Sequence, residues 1–190
     1  MSTLELIAFV LGVINVALVV RRSIWNYPFG LVMVVLYGRV FFDAKLYSDT
    51  LLQAFFFVVQ LYGWWAWSRA SASAGTVLVD RLDGRARLGW AAGCAVAIVA
   101  WSSLVSRYTD ASLPWWDASA AILSVAAQIM MSRRLIENWV LWIAVDILSI
   151  GLYAAKGLWL TMLLYAVFLA LAIWGLIGWR RDAAAQVAAV

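Results

Sequence analysis

One face of an apolar stretch near the C-terminus carries a carboxylate, two indoles and two hydroxyl groups. These five residues follow one another at steps of three or four: Trp139, Trp142, Asp146, Ser149 and Tyr153. This spacing places side chains on one side of a helix. Indole faces attract cations by roughly 0.5–2 kcal/mol each, and an aspartate balances a fixed positive charge. The stripe therefore predicts a binding site for a small, flat, cationic solute.

A second stripe, in the N-terminal part of the chain, is rich in amides. It consists of Asp49, Gln53, Phe56, Gln60, Gly63 and Trp67. Glutamine amides both donate and accept hydrogen bonds, so they suit ribose-like hydroxyls or a carboxamide. The further candidate contacts to the solute are Asn138, beside the first stripe, and Tyr37, Thr161 and Tyr165.

Each of these residues also has a purely structural interpretation. Asp146 would then be a buried acid bonded to neighbouring hydroxyls or amides, and Gln53 and Gln60 would bridge helices. Asp49 would cap the span that it begins. Tryptophans near the ends of spans are typical of the membrane interface or of packing. They are Trp25, Trp64, Trp67, Trp115, Trp116 and Trp179.

The composition shows which solvent surrounds these stripes. The 190 residues are 66% hydrophobic and 13% charged, with 13 Trp and no His. Soluble domains are about 45–50% apolar and about 25% charged, so we expect the chain to lie mainly in lipid. Without His there is no Ser-His or Cys-His dyad and no imidazole-bound metal. We therefore expect no enzyme activity, metal or cofactor. The scattered basic residues, with a net charge of +4, argue against nucleic-acid binding.

Seven stretches are long and apolar enough to suggest membrane spans, which take roughly 17–25 residues. They run approximately over Leu4–Val20, Pro28–Asp43, Thr50–Ser68, Gly89–Ser106, Trp115–Met131, Trp139–Ala154 and Leu160–Trp179. In the fourth, Gly89 and Gly93 form a small-xxx-small pair, which predicts close packing against another helix. The connection Arg69–Leu88 is rich in Ala, Ser, Gly and Arg, as is typical of a loop.

The distribution of basic residues predicts the orientation, because cytoplasmic loops attract Lys and Arg. With seven spans and the N-terminus outside, the outer connections hold four basic residues, Arg39, Lys45, Arg107 and Lys156. The inner ones hold ten, namely Arg21, Arg22, Arg69, Arg81, Arg85, Arg87, Arg133, Arg134, Arg180 and Arg181. We expect an external N-terminus and a cytoplasmic C-terminus in a bacterial inner membrane.

The chain also repeats itself at a displacement of 112 residues without any gap. The matched pairs include Arg21 with Arg133, Arg22 with Arg134, Asn26 with Asn138, Gly63 with Gly175 and Trp67 with Trp179. The displacement spans four helices, so both halves should cross the membrane in the same direction, one of the two common transporter plans. We expect three-helix repeats at residues 1–68 and 113–181, joined by a linker and fourth helix at 69–112. Residues 182–190 would be a fraying tail.

Four short motifs carry a family resemblance. They are KLYSDTLLQ and YGWW in the first half, and WVLW and LYAAKGLWLT in the second. The stretches that contain them resemble the PnuC family of bacterial vitamin transporters. The resemblance implies seven helices in a 3+1+3 arrangement related to the SWEET fold, with Trp139 and Trp142 at the substrate. It also implies facilitated diffusion followed by trapping through phosphorylation in the cytoplasm.

Several alternatives stay open at this point. Typical members of the family carry nicotinamide riboside, which we favour because amides suit its carboxamide and hydroxyls. Thiamine is also cationic, whereas riboflavin is neutral and larger. Asp146 would allow a proton-coupled symporter instead of a facilitator. A membrane enzyme would lack most nucleophile–base pairs, and a scaffold would have no need to bury amides and an acid. Family analogy allows a homo-oligomer.

Overall fold

The protein is described by a computed structural model that covers residues 3–43, 47–74, 76–108, 113–155, 157 and 159–188. Within these residues the chain forms seven helices and no sheet. They are α1 (Thr3–Val20), α2 (Asn26–Asp43), α3 (Tyr47–Ala74), α4 (Gly84–Tyr108), α5 (Pro114–Ser132), α6 (Glu137–Ala155) and α7 (Trp159–Ala188). Each helix overlaps one of the seven stretches predicted from the sequence.

Three of the helices contain segments that are, by length and hydropathy alone, sufficient to cross a membrane. These segments are Gly84–Tyr108, Glu137–Ala155 and Met162–Gln186, and α1 contains a shorter apolar segment, Leu6–Val20. Helices α2, α3 and α5 contain no such segment among the described residues. The outer surface is nevertheless apolar: Leu51, Leu88 and Val96 are each about 70% exposed. Exposure of this apolar surface to water would be unfavourable in free energy, whereas lipid solvates it.

The α1–α2 and α5–α6 turns have the same backbone structure. Arg22 and Arg134 both adopt positive φ, 55° and 63°. The amide of Arg22 donates to Val19 and that of Arg134 to Met131, each at 2.9 Å. Asn26 and Asn138 then begin α2 and α6 by donating from Nδ2 to the carbonyl three residues earlier, at 2.7 and 2.6 Å. The paired Arg and Asn residues of the sequence thus occupy identical turns.

Helices from opposite halves of the chain meet at two reciprocal contacts, α1 with α7 and α3 with α5. At the first, Trp179 Nε1 donates to the carbonyl of Val19 at 3.3 Å. At the second, Trp67 Nε1 donates to the carbonyl of Met131 at 3.2 Å. Trp67 and Trp179 are 112 residues apart, and so are Val19 and Met131. Each half therefore inserts the same indole into the same place on the other half.

These indoles belong to a buried cluster of four aromatic side chains, here called the aromatic floor: Tyr27, Trp67, Trp139 and Trp179. The rings of Trp67 and Trp179 are 5.8 Å apart at its centre. Tyr27 packs edge-on against Trp67 at 5.5 Å, and Trp139 packs likewise against Trp179 at 5.5 Å. None of the four is more than 2% exposed. All four are core residues. For Trp67 and Trp179 this supports a role in packing and not a position at the membrane interface.

The connection between α3 and α4 closes one end of the molecule beneath the aromatic floor. Val77 and Val79 are buried against it. Arg22 Nη1 donates to the carbonyl of Val77 at 3.0 Å. Asp80 forms an isolated parallel bridge with Leu135, bonded through the carbonyl of Arg134 and the amide of Ile136. The two Arg turns therefore lie at the same end of the molecule.

Helix α4 packs against fewer helices than the other six do among the described residues. Among the described residues it packs against α5, and an added Cβ at Gly89 or Gly93 would meet nothing within 4 Å. The prediction that these glycines allow close helix packing is wrong. Both glycines instead line an open groove between α4 and α5, together with Ile122, Val125 and Ala126 of α5.

The last helix is longer than predicted. Helix α7 continues to Ala188, so the fraying expected after Arg181 does not occur within the described residues. Alanine has the highest intrinsic helix propensity. In addition, Asp182 forms an ion pair with Arg22 at 3.0 Å, and Ala183 is buried in the core. These contacts stabilise the helix beyond Trp179, where the predicted span ended.

Two glycines of α7 provide a test of the aromatic floor. A Cβ at Gly175 would lie 2.5 Å from the ring of Trp139, whereas one at Gly178 would meet nothing within 4 Å. We expect Gly175→Ala to destabilise the protein by about 1–3 kcal/mol through overpacking. Gly178→Ala should be neutral or gain up to about 1 kcal/mol from helix propensity. Thermal unfolding in detergent measures both, and equal midpoints for the two variants would contradict this packing.

Candidate functional site

A cavity of about 280 Å³ lies between the two halves of the chain. Fourteen of its 21 lining residues form seven pairs whose members are 112 residues apart in sequence. The pairs are Gly12/Ser124, Val16/Gln128, Met33/Val145, Val34/Asp146, Gln53/Tyr165, Phe56/Phe168 and Gln60/Ala172. The cavity is therefore built from corresponding positions of the two halves. Most of these pairs differ in chemistry, so the lining is asymmetric.

Aromatic rings lie at both ends of the cavity. At one end, Trp139 belongs to the aromatic floor. At the other, Tyr153 stacks on Tyr165 with ring centroids 5.3 Å apart, and Tyr165 meets Phe168 edge-on at 6.0 Å. Trp139 and Tyr153 are fourteen residues apart on α6, which is about 21 Å along a helix. The cavity is thus elongated along the helix axes.

The charge of the cavity comes from Asp146, at the midpoint of α6. Its side chain is 4% exposed, and no Lys or Arg is among the described residues that line the cavity. A buried carboxylate is costly unless it is paired. Trp142 also lines the cavity, and its Nε1 is buried without a hydrogen-bond partner among the described residues. A ligand with a positive charge and an acceptor would satisfy both groups.

Amides occupy the side of the cavity contributed by the N-terminal half. Gln60 is 6% exposed near the midpoint of α3. Asn15 Nδ2 donates to the carbonyl of Asn26 at 2.7 Å, which holds the Asn15 side chain in place. Both amides pass directly over Gly30, where an added Cβ would collide with Gln60 Oε1 and Asn15 Nδ2. The corresponding residue in the other half is Trp142, so glycine at position 30 makes room for amides where that half has an indole.

The structure brings most of the predicted site residues together. Six of them line the cavity: Gln53, Gln60, Trp139, Trp142, Asp146 and Tyr165. Asn138 does not line it; the side chain is fully buried in the α5–α6 turn and bonded to Leu135. Tyr37 is half-buried and is not among the lining residues. The side chains of Asp49 and Thr161 lie outside the described residues.

Sequence reasoning missed four polar lining residues: Asn15 on α1, Asn26 at the start of α2, and Ser124 and Gln128 on α5. The predicted stripes lie on the second, third, sixth and seventh spans, whereas three of these four residues lie on the first and fifth. A signal was available, because Ser124 and Gln128 are four residues apart and so share one face of a helix. Any polar side chain within a span is a candidate for the interior.

Comparison with known proteins identifies the family. Residues 2–181 match the family described as nicotinamide mononucleotide transporter. The chain belongs to this family. It is 30% identical over 208 residues to the nicotinamide riboside transporter PnuC of Escherichia coli strain K12, covering 96% of this chain and 87% of that protein. The resemblance seen in the sequence motifs is confirmed.

Two further comparisons bear on the fold and on the breadth of the family. The crystal structure of the vitamin B3 transporter PnuC superimposes with a TM-score of 0.78 at 30% identity, covering 95% of this chain and 81% of that one. The riboflavin/roseoflavin transporter RibM of Streptomyces davaonensis is 32% identical over 186 residues, covering 94% of this chain and 86% of that protein.

The family and the apolar helices together establish the class of protein. It is a multi-pass transporter of the bacterial inner membrane and not an enzyme, as its relatives are transporters. Its relatives carry different vitamins, since one is a nicotinamide riboside transporter and another a riboflavin transporter. The choice among solutes therefore depends on the cavity of this chain.

Proposed function

We propose that this transporter takes up nicotinamide riboside, a precursor of NAD, by facilitated diffusion. The observation that carries the proposal is the buried carboxylate of Asp146, without a basic partner in the cavity lining and close in sequence to the indole of Trp142. The pyridinium of nicotinamide riboside is a flat cation, which an aspartate neutralises and an aromatic face attracts. Gln60, Asn15 and Gln53 supply amides for its hydroxyls and carboxamide.

The lining also favours the riboside over related solutes. The mononucleotide adds a phosphate, for which no Lys or Arg is present among the described lining residues, while Asp146 would repel it. Riboflavin has three fused rings and no positive charge, so it gains nothing from the carboxylate. Thiamine is the remaining alternative, since it is also an aromatic cation, but it lacks the ribose hydroxyls and carboxamide that several amides would bind.

The proposed architecture is the 3+1+3 arrangement, with α1–α3 and α5–α7 as parallel repeats and α4 as the linking helix. Three observations support it: the identical Arg turns at one end of the molecule, the reciprocal bonds of Trp67 and Trp179, and the paired lining positions. The Arg-rich end would face the cytoplasm, with the N-terminus outside. Release on that side would then require the aromatic floor to separate along the contact between Trp67 and Trp179.

Phosphorylation of the solute in the cytoplasm would make uptake effectively one-way. A facilitator only equilibrates its solute, so a cytoplasmic kinase that converts the riboside into a phosphorylated product would keep the gradient of the riboside inward. The chain has no GxxxxGK[ST] loop for nucleotide binding, so the kinase would be a separate protein. Symport with protons through Asp146 is the competing mechanism.

Titration of the purified protein with four solutes tests the substrate. We expect intrinsic tryptophan fluorescence to report tight binding of nicotinamide riboside, weaker binding of thiamine and little or none of riboflavin or nicotinamide mononucleotide. Asp146→Asn should weaken binding of the riboside about tenfold or more, because it removes a charge-assisted contact.

The matched control is Asp43→Asn, which removes the same charge from an exposed ion pair with Arg39 at the end of α2. It should leave all four affinities unchanged. Tighter binding of the mononucleotide or of riboflavin than of the riboside would overturn the proposed substrate. Equal loss in both aspartate variants would show that net charge, and not the position of Asp146, determines binding.

The space above Gly30 gives a second test. Gly30→Ala would displace the amides of Gln60 and Asn15, so we expect uptake of nicotinamide riboside to fall about tenfold or more while the protein still folds. Gly38→Ala on the same helix is the control, because its Cβ would meet Gln53 at an ordinary 3.5 Å. If both variants transport normally, these amides do not contact the solute.

Proteoliposomes separate the two mechanisms. Without any ion gradient, a facilitator should equilibrate nicotinamide riboside, and an imposed proton gradient should not change the final level. A kinase and ATP enclosed in the vesicles should raise the accumulated label severalfold by trapping. Accumulation above equilibrium that requires a proton gradient, and that is lost in Asp146→Asn, would show a symporter.

A further inference from the structure

A second, larger cavity lies outside the site between the repeats, in the gap between α4 and α6. We call it the α4 groove; its volume is about 740 Å³. It exists because α4 packs on α5, which forms the back wall, and does not contact α6 among the described residues. Its deep part is apolar, lined by Cys94, Ile98, Val140 and Leu141 among others.

The mouth of the α4 groove is basic. Arg81, Arg87 and Arg180 line it together with one acid, Glu137. Glu137 pairs with Arg87 at 2.8 Å, and it also accepts from the amide of Leu82. Among the described residues Arg81 and Arg180 form no ion pair, and both are exposed. Two guanidinium groups therefore remain without a carboxylate at the mouth.

The nearby acids form no ion pair with these two guanidinium groups among the described residues. Asp80 and Asp83 lie on the same connection, but each directs Oδ1 to a backbone amide, that of Arg81 and that of Ala86, at 2.7 Å. Neither lines the groove. The guanidinium of Arg81 instead lies beside α7, where Nη2 donates to the backbone carbonyl of Arg180 at 3.5 Å. Arg81 is thus held beside the residue that carries the second unpaired cation.

The dimensions match one lipid. Arg87 and Ile98, both in the lining, are eleven residues apart on α4, which is about 16 Å along a helix. One leaflet provides about half of the ~30 Å hydrocarbon core. From these observations we propose that the α4 groove binds an anionic phospholipid, with its phosphate at Arg81 and Arg180 and an acyl chain against Ile98, Val140 and Leu141. This site does not depend on the identity of the transported solute.

The chain's single cysteine reports on the groove directly, because Cys94 lies in its wall. Full-length protein in detergent is treated with N-ethylmaleimide in the presence of phosphatidylglycerol or of phosphatidylcholine with the same acyl chains. We expect phosphatidylglycerol to protect Cys94 at several-fold lower concentration. Arg81→Gln and Arg180→Gln should each raise the concentration for half-protection by about fivefold.

Three controls keep the result interpretable. Arg181→Gln removes an exposed charge next to Arg180 that does not line the groove, and it should behave as wild type. Arg81→Lys and Arg180→Lys keep the charge and should retain most of the protection. Unfolding midpoints measured in phosphatidylcholine should be equal for all variants, which separates lost binding from lost folding.

Other occupants give different results. Equal protection by the two lipids would mean that acyl chains alone fill the groove and would overturn the headgroup assignment. Protection by inorganic phosphate at the same concentration would indicate a small-anion site. Protection that rises with protein concentration without added lipid would indicate a second copy of the chain. Any of these outcomes would reject the anionic phospholipid.

Discussion

The contact between Trp67 and Trp179 is the constraint on which the two halves depend. Each indole crosses from its own half to donate to a backbone carbonyl of α1 or α5 in the other. In a lipid environment the hydrophobic effect does not drive helices together, so packing and hydrogen bonds must do so. The glycines at positions 63 and 175 admit Tyr27 and Trp139 beside these indoles. Through Trp139 the same cluster lines one end of the cavity, and it also packs with Val77 and Val79.

Corresponding positions of the two halves carry unequal side chains, which suits the binding of one asymmetric solute. Residues 112 apart in sequence line the same cavity. At these positions the N-terminal half contributes Gln60, Gln53 and Val34, and the C-terminal half contributes Ala172, Tyr165 and Asp146. The N-terminal half therefore provides most of the amides, and the C-terminal half provides the acid, most of the aromatic rings and one amide, Gln128. A solute with a charged ring and a neutral, hydroxylated part fits this division.

Much of this could be predicted from the sequence. The seven helices follow from apolar stretches of membrane length, and the repeat follows from Arg, Asn, Gly and Trp residues that recur at one displacement. Six of the ten predicted site residues line the cavity, because a polar residue inside a span is costly and must face the interior. The exceptions have local causes. Asn138 serves the turn that begins α6, a role its repeat partner Asn26 shares, and helical spacing alone does not distinguish that role from ligand contact.

The sequence by itself determined the membrane class, the repeat and the polar residues that must avoid lipid, because each depends on composition or on spacing within one helix. Only the tertiary structure decided that Trp67 and Trp179 are core residues, since an indole near the end of a span is equally suited to the interface. It also decided that α7 extends to Ala188, through contacts of Asp182 and Ala183 with distant residues. The open groove beside α4 was likewise invisible in the sequence, because Gly89 and Gly93 only permit close packing, and how closely α5 approaches them depends on the tertiary structure.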